Sequence, residues 1–381
     1  PNMAISYDQV NIWVRELIKP KLHSSYVQMK PLLYVLAGKT VANLDSLGDP
    51  QAGVVWGGAG IGRATMLQQA GSFNHRFSYQ KTEADASSHV ALDGATPTAT
   101  VYGDDLVDNA ETRWTDFWGP LRLRKDRLDA AISSGNNLRV ASLTEAAVSM
   151  GFNRHLQKHQ SELWTGTLTE AQQDLEVWPN YIGIQHACDG TGTDFYGGKD
   201  RSTETELRGK EYTAGALATA GAIASGGTVP LLRMVRWLKS ENTTGGVANR
   251  YAGAGDLAIT TPSLWNVLAN EAEGQHTIYD SQTQIPGMML SRSMQYPVIK
   301  KDTTLITYDP DCPDGEFYLL STDFWVFEVQ KGNNFAIDEW QKKWLNDEGG
   351  AKYLYTQIHA KTRLTCYRPD LQVKITGLTV A

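Results

Sequence analysis

Few residues of this chain stand at spacings that chemistry requires. His155 and His159 lie four apart in a proline-free stretch, so on a helix their imidazoles leave one face and could share a metal ion. The glutamate that a zinc hydrolase places beside the first histidine is missing, because Leu156, Gln157 and Lys158 fill the gap. The pair is therefore read as part of a polar helix face. His186 and Cys188 suggest a deaminase-like ligand pair, yet no paired cysteines and no H-x-E follow. Asp309, Asp311, Asp314 and Gly315 have the composition of a calcium loop, but the spacing departs from an EF-hand. Pro310 and Pro313 stiffen that segment, which reads as a hairpin turn between two strands. The run AGVVWGGAGIG from Ala52 places glycines at 57, 58, 60 and 62 after a short apolar strand. It has neither a GxGxxG frame nor a Gly-Lys-Ser/Thr ending and reads as a flexible turn. There is no GxSxG elbow for a serine nucleophile. No catalytic, cofactor-binding or metal-binding residue is assigned from the sequence, and no cofactor is expected.

Composition bounds the remaining possibilities. A chain of 381 residues, 41% hydrophobic and 20% charged, has material for two or three packed units. A formal charge of -7 disfavours a protein that grips phosphate backbones, although a surface lying beside nucleic acid stays possible. Three scattered cysteines, Cys188, Cys312 and Cys366, fit a reducing cytoplasm and no disulfide framework. Nothing near residue 1 pairs a basic stretch with an apolar one, so no signal peptide is expected, and Asn242-Thr243-Thr244 carries no meaning as a glycosylation sequon. The most apolar run, Tyr212 to Gly227, is too rich in Ala, Gly and Thr to span a membrane.

The elements that must position these residues are organised around one stretch, Asn137 to Gly166, read as a single long helix. Val140, Leu143, Ala147 and Met150 fall on one face, whereas Val148, Phe152, Leu156 and Leu163 fall on nearly the opposite one. The buried side is expected to change near Gly151, as in a spine shared by two layers. Before it, Ser6 and Gln9 open a capping box, Pro20 ends that helix, and residues 1 to 50 read as an arm too small for its own core. Phe73 to Gln80 alternates as a strand, residues 81 to 111 are polar, and Thr112 to Leu123 resumes a strand, together a long projecting hairpin.

Short helices are expected at 124 to 134, 167 to 176 and around Trp340 and Trp344. Thr228 is expected to cap the amphipathic helix VPLLRMVRWLKSEN. Asp256 to Thr260 is a strand, and Thr261-Pro262 opens the helix that follows, an α/β layer. Strand-like runs come at 296 to 301, 303 to 308, 316 to 321, 324 to 330, 353 to 366 and 371 to 375.

The words YIGIQHACDG, YGGKDRST, DLAITTPSLWNVL, YPVIKKDTTL and DCPDGEFYLLSTDFWVF, and then TRLTCYRPDLQVKITGL, succeed one another in an order similar to major capsid proteins of tailed bacteriophages. The resemblance is to the HK97-like fold, an α+β architecture with an N-terminal arm, a projecting β-hairpin loop, a long spine helix, a peripheral domain and an inserted axial α/β domain. It implies an arm at 1–50, a first part of the peripheral domain at 51–71 and the projecting loop at 72–123. The peripheral domain with the spine would follow at 124–185, the axial domain at 186–331, and the return to the peripheral domain at 332–381.

That resemblance implies a homo-oligomer without enzymatic activity: hexamers and pentamers closing into an icosahedral shell around double-stranded DNA, built first as a procapsid. A separate scaffolding protein, a portal and a decoration protein are the implied partners, with non-specific contact to the packaged DNA and no membrane. The implied location is the virion, after assembly in a bacterial cytoplasm. Some of the family cross-link a loop lysine to an asparagine on another subunit; this sequence offers Lys81 at the start of the loop and no lysine in its tip, so that chemistry is not carried over. Two alternatives stand beside this reading, an encapsulin-like compartment with protein cargo and a cytoplasmic α/β enzyme with its site within Gly190 to Gly227.

Overall fold

The computed structural model describes residues 67–69, 74–80, 107–124, 137–166, 183–191, 195–240, 255–274, 299–301, 304–330, 333, 336–338 and 353–380. The chain order is β1 (Leu67–Gln69), β2 (Asn74–Gln80), β3 (Val107–Arg113), β4 (Thr115–Arg124), α1 (Asn137–Thr165) and α2 (Ile184–Cys188). There follow β5 (Phe195–Tyr196), β6 (Lys199–Asp200), β7 (Lys210–Thr213), α3 (Ala214–Thr219) and α4 (Leu231–Ser240). Then come β8 (Leu257–Thr260), α5 (Pro262–Gly274), β9 (Ile299–Lys301), β10 (Thr304–Tyr308) and β11 (Phe317–Leu320). The chain ends with β12 (Trp325–Gln330), β13 (Ala336–Ile337), β14 (Tyr353–Cys366) and β15 (Val373–Thr376). The arm at 1–50, the glycine run from Ala52 to Gly62, Lys81 and the short helices expected at 167 to 176 and 340 to 344 lie outside the described residues, as does the helix expected at 124 to 134 apart from Arg124, which is the end of β4.

Helix α1 runs through 29 residues, roughly 44 Å at 1.5 Å per residue, without a break at Gly151. Its buried stripe is also unbroken: Thr144, Val148, Phe152, Leu156, His159, Leu163 and Trp164 are all buried. The expected change of face at Gly151 does not occur, since Met150 is 72% exposed and Leu143 and Ala147 are only partly covered. What changes along the helix is its partner. A Cβ at Gly151 would fall 1.8 Å from Leu121 Cδ2 of β4, so the first half lies tight on one sheet. Near the other end, the Trp164 ring packs 5.0 Å from Tyr318 of β11, which belongs to a second sheet.

The first sheet (sheet I) contains β1, β12, β14, β13 and β4. Its longest pairing is antiparallel, from Tyr353↔Arg124 to Thr362↔Thr115. Along β4 the period of two is clean: Thr115, Phe117, Leu121 and Leu123 are buried and Asp116, Trp118, Pro120 and Arg122 are exposed. The second sheet (sheet II) has six strands in the order β7-β15-β11-β8-β10-β9. Strands β8 and β10 are parallel and joined through α5, the β-α-β unit expected from Thr261-Pro262. The Thr261 hydroxyl accepts the Leu264 N–H at 3.4 Å, which caps α5. Helices α3, α4 and α5 cover one face of this sheet, with Leu217, Met234, Val235, Leu264 and Leu268 against Ala258, Ile306, Leu319 and Ile375.

Three local expectations need correction. Segment 309–316 is no hairpin turn, because β10 and β11 do not pair; they lie on opposite sides of β8 and the segment passes over the end of that strand. Thr228 does not cap α4, which starts at Leu231; the Glu271 carboxylate of α5 accepts the Leu231 N–H instead. The sheets also do not divide at 331–332, since β12 belongs to sheet I and the last strand, β15, to sheet II. After β11 the chain therefore crosses between the sheets twice more, at Ser321–Phe324 and at Tyr367–Gln372.

Gln372 locks the two crossings together. Its side-chain carbonyl accepts from the Ser321 N–H at 2.9 Å and from the Trp325 indole N–H at 3.1 Å, while its amide donates to the Arg368 carbonyl at 3.1 Å. Asp256 accepts the Thr322 N–H at 2.8 Å and the Thr322 hydroxyl, and burial raises its carboxyl above the ordinary aspartate range.

Gly151 gives a direct test of the helix–sheet contact. In Gly151→Ala the helix gains up to about 1 kcal/mol of propensity, but the methyl collides with a buried leucine, an overpacking cost of about 1–3 kcal/mol. Chemical denaturation should show a net loss, and adding Leu121→Ala should cost less than the two single losses combined.

Candidate functional site

The polar residues that sequence reasoning singled out gather where α1 meets the two sheets. His155 and His159 do not form a solvated helix face; they are buried, one turn apart, against sheet I. Glycine makes the room: the Cβ position of Gly119 lies only 3.2 Å from His155 Nδ1. The His159 ring sits 4.5 Å from Phe117 and 5.8 Å from Phe327, and its Nε2 shares a 2.9 Å hydrogen bond with the Thr362 hydroxyl. Burial, reinforced by Lys158 and His359, holds the His155 imidazole down at about 4. Burial, with His155 as the next cause, holds His159 at about 3. Both rings are neutral at pH 7, and they fill the interface instead of meeting substrate.

The next residue of the stripe, Gln160, donates its amide to the buried Asp309 carboxylate. The other Asp309 oxygen accepts the Asp311 N–H at 2.9 Å, so this aspartate is turned inward to hold the spine and its own turn. Asp314 is exposed and joins no cluster of ligands. Among the described residues no three His, Cys, Asp or Glu side chains come together as a metal site.

His186 and Cys188 serve packing. The His186 ring stacks on Tyr196 at 5.7 Å, and Cys188 is buried, which pushes its thiol well above the ordinary value. A thiol held protonated is no nucleophile. The centre of this region is Arg201, which sequence reading passed over. It is fully buried, donates to the carbonyls of His186 at 2.8 Å and Asp189 at 3.4 Å, lies 3.6 Å from the Asp189 carboxylate, and rests 5.9 Å over the Tyr196 ring. Tyr196 in turn donates to the Cys366 carbonyl at 2.8 Å, which fixes the β5–β6 ribbon to the end of β14.

That ribbon carries the base of the hairpin formed by β2 and β3. Gly197 accepts the Glu111 N–H at 2.9 Å, Lys199 pairs with Asp108 at 2.8 Å, and Phe77 packs 5.4 Å from Tyr367. Beneath it the Thr112 and Thr365 hydroxyls meet at 3.0 Å. Residue Trp114 covers Arg363, whose guanidinium lies 4.3 Å from the ring centre and binds Glu328 of β12, both of them fully buried. The base of the hairpin is thus folded on its own subunit, while its tip lies outside the described residues. A buried Arg–Glu pair in the alternation of β12 and β14 is the one signal that could have marked this cover from sequence, because a charge at such a position must be roofed over.

Among the described residues the exposed large apolar side chains are Trp118 at 63%, Met150 at 72%, Phe195 at 40% and Val380 at 51%. All four are open to solvent. No described helix is long and apolar enough to cross a membrane.

A long helix laid across two sheets, with the last strand returned to the second of them, is the architecture of HK97-like phage capsid proteins, and this chain has that fold. Of the solved structures it resembles, the capsid asymmetric unit of Cyanophage A-1(L) superposes with a TM-score of 0.53 at 15% sequence identity, covering 82% of this chain and 90% of that one. Weaker likenesses are to the capsid of the native GTA particle (TM-score 0.47, 8% identity, 83% of this chain and 88% of that) and to Mycobacterium phage Bobi (TM-score 0.45, 12% identity, 82% and 87%). The chain matches no sequence-family profile, and no curated protein resembles it in sequence.

Two measurements test the buried groups. Each histidine titrates near its ordinary 6.5 in the unfolded chain and near 4 or 3 in the folded one, so the unfolded state takes up protons first as pH falls. Stability is then level above about pH 7 and drops below 6.5, by about 2 kcal/mol per histidine at pH 5. Urea titrations across this window should show the drop, and His159→Gln should remove about half of it. Breaking the ion pair with Glu328→Gln should cost about 3–5 kcal/mol, whereas replacing both partners as Glu328→Leu with Arg363→Met should cost much less.

Proposed function

We propose that this chain is a major capsid protein, many copies of which close into the icosahedral shell that holds the double-stranded DNA of a tailed phage. The likeness of fold to the Cyanophage A-1(L) capsid over 82% of the chain carries this reading. On it, sheet I with α1 is the peripheral domain, sheet II with α3, α4 and α5 is the axial domain, and residues 1–50 and the hairpin tip are the limbs that cross to neighbouring copies. Subunits would gather as hexamers and pentamers, through heterologous contacts that close into rings. The interfaces would be of the obligate size, commonly about 2,000 Å² or more.

The role is structural, without turnover of a small molecule. A scaffolding protein and a portal would take part in assembly in the host, a decoration protein could bind the finished shell, and contact with DNA would be non-specific, as suits a net charge of -7. The fold is compatible with an encapsulin-like shell, which differs in cargo. Negative-stain microscopy of the expressed chain, alone and with its genomic neighbours, should show closed shells, open sheets or tubes. Nuclease-protected DNA inside native particles supports the phage reading, protein cargo supports the compartment, and a small dispersed oligomer under every condition overturns both.

A further inference from the structure

Where α1 meets sheet II, three side chains each carry a polar atom that no protein group satisfies. Gln160 and Trp164 stand one turn apart on the buried stripe of the helix, Thr307 stands on β10, and each is at most 1% exposed. Gln160 Oε1, Trp164 Nε1 and Thr307 Oγ1 have no hydrogen-bond partner among the described residues. A buried polar group left without one weakens folding by about ten-fold or more. The orientation of Gln160 is not in question, because a carboxylate only accepts: its amide must face Asp309, and Oε1 must face elsewhere.

The sheet brings these atoms to one place. Ala258, Ile306 and Leu319 face α3, α4 and α5, so the alternate residues Ile259, Thr307 and Tyr318 point to the opposite face, where α1 lies. In register Ile259 has Thr307 on one side and Tyr318 on the other, which makes the three a single row. Trp164 packs on Tyr318 of that row, and Gln160 grips Asp309, two residues beyond Thr307. Thr307 therefore lies in the angle between the two contacts of the helix, about 7 Å along the chain from one and about 10 Å across the sheet from the other.

The chemistry of the set selects what can join it. Gln160 Oε1 only accepts, the Trp164 indole N–H only donates, and the Thr307 hydroxyl does either. A metal cation is repelled by the indole N–H, and an anion meets the Gln160 oxygen with the Asp309 carboxylate close behind it. A small molecule that donates and accepts suits all three atoms, and internal waters typically make about three hydrogen bonds.

We propose that an internal water binds between α1 and sheet II, donating to Gln160 Oε1, accepting from the Trp164 indole N–H and sharing its third hydrogen bond with the Thr307 hydroxyl. The site lies within one subunit, so it stands apart from the shell reading. Helix α1 then rests on sheet I by direct contact, Gly151 against Leu121, and on sheet II partly through an exchangeable bridge.

The sign of one substitution tests this. Thr307→Val keeps the side-chain shape and removes the hydroxyl. With the water bound, urea titration of the full-length chain should show the folding equilibrium constant falling about three- to ten-fold. With a hydroxyl buried dry, the same change removes an unsatisfied group, so a neutral or stabilising result overturns the proposal. Thr307→Ser keeps the hydroxyl and should fold; a Val variant that fails to fold beside a Ser variant that does supports the bridge. Trp164→Phe and Thr307→Val should together cost less than their separate losses combined, since both act on one water, and strictly additive losses overturn the sharing. An experimental map of the unaltered chain that resolves other internal waters should place a peak within about 3.2 Å of all three atoms. A map in which Gln160 Oε1 bonds directly to Trp164 Nε1 with no such peak overturns the site.

Discussion

The constraint on which the structure depends is that one helix must lie on two sheets with a single face. Helix α1 can do this only because its buried stripe keeps a constant direction while the depth of its partners varies. Glycine at 151 lets Leu121 approach the helix axis, and glycine at 119 gives His155 a place on the sheet. Beyond them the stripe turns polar, and Gln160 reaches Asp309 at the edge of sheet II while Trp164 reaches Tyr318. A uniformly apolar stripe would slide between registers on two twisted sheets. The imidazole, amide and indole groups each have one place where they fit, so the polar seam sets the position of the helix although it adds little to its stability.

The sheets are held to each other by the same economy. Two chain crossings, at Ser321–Phe324 and Tyr367–Gln372, run side by side, and Gln372 and Asp256 satisfy the backbone groups that strands leave behind when they end. Because the last strand re-enters sheet II, the two sheets cannot separate without breaking pairings at both crossings. A chain built this way resists being pulled apart along its length. Among the described residues, its most exposed large apolar side chains are Trp118 on the outer face of β4 and Met150 on α1.

Much of this could be read from residue order. The helix from 137, the strand from 353 to 366, and the β-α-β unit around Thr261-Pro262 follow from periodicity and capping, because each depends on neighbours in sequence. The misreadings share one cause, in that each turned on a partner far away in the chain. Val140, Leu143, Ala147 and Met150 look like a core face, and only the position of sheet I shows that Met150 is outside. His155 and His159 look like surface until Gly119, Phe117 and Thr362 are placed opposite them. A turn rich in Asp and Pro looks like a hairpin until β8 is found between the strands it joins. Thr228 has the right chemistry for a cap but lost that place to Glu271, forty residues on.

The low identity to the cyanophage capsid, 15% across most of both chains, is what such a fold should tolerate. The buried stripe of α1 and the inward positions of β4 and β14 ask for volume and polarity at given places, and many residues meet that demand. Outward positions are free of that packing demand. Trp118 and Arg122 are not required by the packing of sheet I, which takes its stability from Phe117, Leu121 and Leu123 on the other face, so these positions can vary without disturbing the frame.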